Sequence, residues 1–188
     1  AQRRNAQTAI VAARHEFAAF FGGHVFGARF TVGAVDLEAY DYHVGSKSHI
    51  RATEKTVLER IPPRQRVRKD AAVELPHVLM LCDDDQKTLI EPIQAIRDSL
   101  PVLYDFDLME QGGRIRGWLV QGNVAAEFDK RFADFAATVD GKYADLDGSV
   151  LLAVGDGNHS LATAKSCYEA LKAANPGVDL SKHPARYS

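Results

Sequence analysis

The chain has 188 residues with a formal net charge of −2, and hydrophobic and charged residues make up 46% and 26% of it. This composition is ordinary for a globular protein. The sequence has no run of about eighteen apolar residues, so we predict neither a transmembrane helix nor a membrane partner. The small net charge does not favour nucleic acid as a partner. The N-terminal residues do not have the form of a secretory signal, so we expect a cytoplasmic protein.

A helix and a strand are predicted in the N-terminal quarter of the chain. Residues 6–21 carry apolar side chains at helical spacing and stop at Gly22 and Gly23, which are typical of a helix C-terminus. Residues 30–40 are rich in β-favouring types and predict a strand. The polar residues 41–48 then predict a loop.

The middle of the chain mixes charged and apolar segments. Residues 50–61 carry apolar side chains among charges, and Pro62 and Pro63 are expected to end whatever element they form. Residues 64–68 contain three arginines and form a basic patch. A strand is predicted over 77–82 and a helix over 92–99, with a proline in its first turn.

The last third of the chain alternates irregularly between strand and helix patterns. Strands are predicted over 100–106, 114–120 and 150–154, and an amphipathic helix over 124–139. Irregular interleaving favours the α+β class, with a mixed sheet and flanking helices. We expect a single α+β domain over 1–188 that is a fragment of a longer protein, and the sequence indicates no oligomeric state.

The strand predicted at 150–154 leads into the most informative stretch, a glycine turn followed by a helix. Gly155-Asp156-Gly157-Asn158 has turn chemistry, and the apolar residues after His159 fall on one helix face. A helix N-terminus after such a turn presents free N–H groups and the positive dipole end, which suits an anion, most often phosphate. The alternative is a plain strand-to-helix turn with Asn158 as its N-cap.

The common nucleotide and metal motifs are not present. No Gly-Lys-Ser/Thr follows the turn, and Ser160 stands where the dinucleotide fingerprint requires its third glycine. The seven histidines show no metal-ligand spacing, so we predict no metal site. Composition and motifs therefore indicate a phosphate site without naming its substrate.

Two segments resemble one known family. Asp156-Gly-Asn-His-Ser-Leu-Ala-Thr-Ala resembles the Asp-Gly-His-His-Arg-Tyr-x-Thr-Ala signature of the domain-of-unknown-function 1015 family. Ile50-Arg-Ala-Thr-Glu-Lys-Thr-Val-Leu-Glu-Arg60 is similar to that family's Ile-x-x-His-Glu-x-Thr…Asp-Arg pattern. The similarity spans roughly residues 30 to 188. The turn is in addition similar to the phosphate-binding turn of the ParB and sulfiredoxin superfamily, which implies a nucleotide-binding core in the C-terminal part.

The resemblance implies roles for individual residues. Asp156 matches the motif aspartate and would be the catalytic base, and Glu54 matches the glutamate of the other motif. Gly157 and His159 match the phosphate-facing glycine and the second histidine, and Arg60 matches the motif arginine. This chain departs from the family pattern at three positions, where the family's two other histidines and its second arginine are replaced by Thr53, Asn158 and Ser160.

The function implied is a nucleotide-dependent phosphotransferase that acts on a small hydroxyl-bearing metabolite, with ATP or ADP as cofactor and Mg²⁺ as an optional ion. Its phosphates would lie on Gly155–Ser160, and Arg51, Arg60 and Arg64 would offset their charge. Two alternatives stay open. The same turn would serve a nucleotide-binding regulatory module without catalysis, and the arginines of 51–68 would form an ordinary solvated surface with ion pairs.

Overall fold

The computed structural model of the chain describes residues 10–17, 26–74, 78–145 and 148–188. Its contacts divide the chain into two compact units. The first contains the described residues up to Ala34 together with Asp84–Phe135, and the second contains Val35–Asp83 together with Ala136–Ser188. The single domain expected from the sequence stays a prediction, because a division by contacts describes packing and not independent folding.

Strands and helices interleave along the described residues. The strands are Ile10–Phe17 (β1), Phe26–Val32 (β2), Tyr40–Asp41 (β3), Ile50–Ala52 (β4), Leu79–Leu81 (β5), Val102–Asp107 (β6), Arg114–Val120 (β7) and Leu152–Asp156 (β8). The α-helices are Ile61–Lys69 (α1), Ile90–Ala95 (α2), Asn123–Lys142 (α3) and Asn158–Ala174 (α4). Short 3₁₀ turns lie at Leu37–Ala39, Leu58–Arg60, Arg97–Ser99, Met109–Gln111 and Pro184–Arg186.

The first unit is built on an antiparallel sheet with the strand order β2-β1-β7-β6. Its small core is formed by Ile93 of α2 and Val120 of β7, with Val124 and Phe128 of α3 packed against them. On this sheet Tyr104 pairs with Gly117, and a Cβ at Gly117 would collide with the Tyr104 ring. The absence of a side chain at Gly117 therefore makes room for the ring.

The second unit is built on a mixed sheet with the strand order β3-β4-β8-β5. β3, β4 and β8 run parallel, and β5 is antiparallel to β8. The apolar face of α4 covers a core of buried residues, namely Leu37, Tyr40, Ile50, Val154, Leu161, Ala164 and Tyr168. Because β4 and β8 are parallel neighbours, the segments that follow them leave the sheet at the same edge.

This arrangement confirms the predicted α+β class with a mixed sheet and flanking helices. Helices α3 and α4, strand β7 and strand β6 lie close to their predicted positions. No helix among the described residues is long and apolar enough to cross a membrane. The nucleotide-binding core stays a prediction.

The helix predicted over 6–21 is wrong for its described part. Ile10–Phe17 forms β1, which lies between β2 and β7 and pairs with both; the remainder, including Gly22 and Gly23, lies outside the described residues. Helix propensity differs by only a few tenths of a kcal/mol per residue among such types, so pairing with two neighbouring strands outweighs it. The apolar spacing in this segment was therefore a poor guide.

Two further predicted boundaries are also wrong. The strand predicted over 30–40 is not continuous: β2 ends at Val32, and Tyr40 begins β3, which belongs to a different sheet. Between them Asp36 caps a 3₁₀ turn by accepting a hydrogen bond from the Glu38 N–H at 3.0 Å. Pro62 and Pro63 do not end an element but lie in the first turn of α1. A helix tolerates proline there because its first N–H groups have no intrahelical acceptor.

We expect Leu161→Ala to reduce the free energy of unfolding by about 2–4 kcal/mol, because the side chain is buried and the neighbouring core cannot fill the space. Leu161 is 1% exposed and belongs to the core beneath α4. Chemical denaturation monitored by circular dichroism measures the change. Val44→Ala is the control, since Val44 is 83% exposed and should change stability by less than about 0.5 kcal/mol. Equal effects of the two substitutions would contradict the core assignment.

Candidate functional site

The candidate site begins where β8 passes into α4. β8 ends at Asp156, Gly157 has a left-handed backbone with φ 84°, and α4 begins at Asn158. Only glycine adopts this backbone region without strain. The Gly157 carbonyl accepts the first helical hydrogen bonds, from the N–H groups of Ser160 at 3.0 Å and Leu161 at 3.1 Å. Gly157 is therefore the N-cap, so the assignment of this role to Asn158 is wrong, whereas the alternative of a plain strand-to-helix turn stays open.

Two side chains bind amides of this turn. The Asp156 carboxylate accepts a hydrogen bond from the Gly157 N–H at 2.8 Å, and the Asn158 side-chain oxygen accepts one from the His159 N–H at 2.9 Å. Oxygen acceptors are favoured here because amides and the positive end of the dipole converge at a helix N-terminus. Asp156 is exposed, whereas Asn158 is buried. The turn thus holds acceptor groups supplied by the chain itself.

The segment after β4 packs against this turn. His159 Nε2 accepts a hydrogen bond from the Val57 N–H at 3.0 Å, although the two residues are 102 positions apart. Close by, the Thr53 hydroxyl donates to the Val154 carbonyl at 2.7 Å. The two segments identified from the sequence, 50–60 and 156–164, therefore meet in space. Thr53 is the residue that the resemblance matched to a motif histidine, and here its hydroxyl bonds the first segment to β8.

The pKa of His159 is lowered by burial and by two neighbouring cations. Desolvation lowers the pKa of His159, the charges of Arg60 and Arg64 lower it further, and Glu54 acts in the opposite direction. A neutral imidazole with its proton on Nδ1 leaves Nε2 free to accept the Val57 N–H. Arg60, Arg64 and Glu54 are thus near enough to the turn to act on His159. An anion at the turn would meet the same two positive charges.

Arg51 has a different environment from the other residues of the first segment. Its guanidinium donates to the carbonyl oxygens of Ser46 and Gly148, each at 2.8 Å. These carbonyls precede β4 and β8, whereas the glycine turn follows β8. The Arg51 guanidinium is therefore hydrogen-bonded at the start of β4 and β8, and it does not join Arg60 at the glycine turn.

Thr56 is a residue of this region to which the sequence interpretation gave no role. It is 4% exposed, next to Val57, and surrounded in sequence by exposed residues. The burial of Thr56 has no counterpart in the sequence, but Thr56 does match the threonine of the family pattern Ile-x-x-His-Glu-x-Thr, and that match is the signal that would have identified it. Among the described residues, no group of three or more metal-ligating side chains is present.

We expect the pKa of His159 to lie below the ordinary histidine value of about 6.5 and to rise in Arg64→Gln, because a nearby positive charge is removed. NMR titration of the imidazole resonances, assigned with His159→Gln, measures this. Arg66→Gln is the control, since Arg66 lies on the same helix but is not among the charges that act on His159. An unshifted pKa in Arg64→Gln would contradict the proposed proximity.

The same pKa has a consequence for stability. A histidine whose pKa is lower in the folded protein stabilises the fold fully above its unfolded value of about 6.5, and this contribution is lost as the pH falls toward the folded pKa. The unfolding free energy of the wild type should therefore fall between about pH 6.5 and the measured His159 pKa more steeply than that of His159→Gln.

No curated protein matches the chain, and no solved structure matches it. A family model described as "Protein of unknown function (DUF1015)" matches residues 3–188. The match begins nearer the N-terminus than the resemblance found in the sequence, and it includes both segments that meet at the glycine turn. The chain therefore belongs to the domain-of-unknown-function 1015 family.

Proposed function

We propose that this chain is a nucleotide-dependent phosphotransferase that uses ATP or ADP, with or without Mg²⁺, to phosphorylate a small hydroxyl-bearing metabolite. The observation that carries the proposal is the Val57–His159 hydrogen bond, which joins the glycine turn to the segment bearing Glu54 and Arg60. Phosphoryl transfer depends mainly on positioning and on neutralisation of charge. A helix N-terminus beside two arginines and a carboxylate supplies both.

In this proposal the phosphates lie on the turn Gly155–Ser160. The left-handed Gly157 lets the backbone approach them, and the α4 N-terminus provides the favourable dipole. Arg60 and Arg64 offset their charge, while Arg51 supports the site indirectly through the loops that it joins. The similarity of the turn to those of the ParB and sulfiredoxin superfamily supports this reading, and ATP and ADP are available to a cytoplasmic protein.

Asp156 and Glu54 are the proposed acid–base groups. One carboxylate accepts the proton of the metabolite hydroxyl as that oxygen forms a bond to the terminal phosphorus. The bond from phosphorus to the bridging oxygen breaks, and the nucleotide leaves with one phosphate fewer. Asp156 occupies the Gly157 N–H in the structure, so phosphate binding at that amide would release the carboxylate toward the substrate.

A nucleotide-binding regulatory module is the second candidate function. Asp156 already serves as an acceptor for the turn, and Ser160 supplies no guanidinium where the family has arginine. A phosphate bound there would lack a bidentate partner. Nucleotide binding by the wild type without product, across a range of hydroxyl acceptors, would favour this candidate over the enzyme.

We expect the chain to bind at least one of ATP, ADP and CTP in isothermal titration calorimetry, and Gly157→Val to abolish this binding, because the substitution distorts the left-handed turn. Gly177→Val is the matched control. Gly177 has φ 80°, close to the 84° of Gly157, and lies beyond the other end of α4. If both variants bind as the wild type does, or if no nucleotide binds with or without Mg²⁺, the phosphate site is wrong.

We expect Asp156→Asn and Glu54→Gln each to reduce phosphoryl transfer by about a hundredfold or more while nucleotide affinity changes little, because a proton acceptor is lost. Product formation is followed by phosphorus NMR or by release of ADP from ATP and of AMP from ADP. Glu59→Gln is the control for Glu54→Gln, since it removes another exposed carboxylate from the same segment. Unchanged turnover in Asp156→Asn and Glu54→Gln would contradict the acid–base roles.

A further inference from the structure

Three buried side-chain polar atoms in the described part of the second unit have no hydrogen-bond partner, namely Arg51 Nε, Thr56 Oγ1 and Asn158 Nδ2. All three lie in the two segments that the Val57–His159 hydrogen bond joins. Arg51 uses its other nitrogens to bind two carbonyls, but Thr56 and Asn158 offer their groups to nothing in the structure. Buried polar groups are nearly always paired, so each exception calls for an explanation.

The position of the Asn158 amide follows from its neighbours. Its oxygen faces the His159 N–H at 2.9 Å, and the attached Nδ2 therefore lies at the N-terminal turn of α4 as well. The backbone of Asn158 is held from the core side, where the buried Tyr40 hydroxyl donates to its carbonyl at 3.4 Å. Asn158 is 4% exposed. A fixed, buried N–H donor at a helix N-terminus requires an acceptor.

Thr56 stands on the other side of the contact between the segments. It directly precedes Val57, as Asn158 directly precedes His159, so each residue is the chain neighbour of one partner in the same hydrogen bond. Its side chain is also 4% exposed. A hydroxyl donates one hydrogen bond and accepts others, and an amide nitrogen only donates. An oxygen-rich anion satisfies both groups.

We propose that Thr56 and Asn158 are ligand-binding residues that donate hydrogen bonds to the oxygens of one phosphoryl group held between the two segments. The inference rests on the proposed phosphate site and adds Thr56 to it. In the absence of ligand, each unpaired group costs the desolvation of a buried polar atom. Binding of the phosphoryl group removes that cost, so the two residues favour the bound state over the free one.

This assignment predicts that a change at Thr56 lowers the affinity for phosphate without lowering the stability of the free protein. Thr56→Val keeps the shape of the side chain and removes an unpaired hydroxyl, so the free protein should be as stable as the wild type or more stable. The affinity for inorganic phosphate, followed by NMR, should fall by about fivefold to tenfold. In the wild type, the Asn158 side-chain NH₂ resonances should shift on addition of phosphate.

Two more variants complete the experiment. Asn158→Asp keeps the acceptor for the His159 N–H but replaces the donor with a carboxylate oxygen, and it should reduce phosphate affinity by at least about tenfold through repulsion. Thr163→Val is the control, because Thr163 is also buried, at 2% exposed, but its hydroxyl donates to the His159 carbonyl at 2.7 Å. It should lose stability and keep its phosphate affinity within about twofold.

The outcomes distinguish this inference from the proposed function. Nucleotide turnover that persists while Thr56→Val and Asn158→Asp bind phosphate like the wild type would overturn the inference and leave the phosphotransferase intact. Phosphate affinity lost in both variants, in a protein that neither binds nor turns over nucleotide, would support the inference and reject the proposed function. Destabilisation by Thr56→Val with unchanged phosphate affinity would make Thr56 a structural residue and overturn its assignment.

Discussion

The parallel pairing of β4 with β8 is the constraint on which the candidate site depends. In this register Ile50 lies opposite Leu152 and Ala52 opposite Val154, so the chain leaves both strands at one edge of the sheet. Everything placed at that edge follows from this pairing. The glycine turn follows β8, and the segment from Thr53 to Arg60 follows β4. A parallel pair is joined by a long connection, which is why residues so distant in sequence share one small region.

Short-range contacts then fix the relative position of the two segments. The Thr53 hydroxyl donates a hydrogen bond to the Val154 carbonyl, and the His159 imidazole accepts one from the Val57 N–H. A neutral imidazole is the acceptor in the second contact, and the nearby arginines favour that neutral form. The positive charges of these arginines, which would attract an anion, therefore also favour the Val57–His159 hydrogen bond that joins the two segments.

Membership of the domain-of-unknown-function 1015 family gives the substituted positions a physical meaning. Thr53, which the resemblance matches to a motif histidine, donates its hydroxyl hydrogen bond to the Val154 carbonyl of β8. Asn158 matches another motif histidine in the same resemblance; its side-chain oxygen accepts a hydrogen bond from the His159 N–H, while its buried Nδ2 has no partner among the described residues. Ser160 removes a guanidinium without replacing its charge. These side chains differ in hydrogen-bonding capacity and charge from the histidines and the arginine of the motif that the sequence resembles.

The sequence by itself determined the elements whose signal is local. Gly157 was identified as a turn residue because only a residue without a side chain adopts its backbone freely, and α4 and β7 were predicted because their periodicity or composition is strong. The α+β class followed from the same local patterns. The resemblance of the two segments to one family indicated which residues to compare, and it did so without any knowledge of distances.

Tertiary structure decided what depends on partners far away in the chain. β1 is a strand because β2 and β7 lie on either side of it, although its residues have helical spacing. Arg51 donates hydrogen bonds to two carbonyls at the start of β4 and β8. Thr56 is buried although its neighbours in sequence are exposed. Neither fact has a signal in the local sequence. Hydrogen-bond partners and burial are set by nonlocal packing, whereas turns and periodicity are set by neighbouring residues. For that reason the sequence predicted the turn, and only the folded chain placed the other segment beside it.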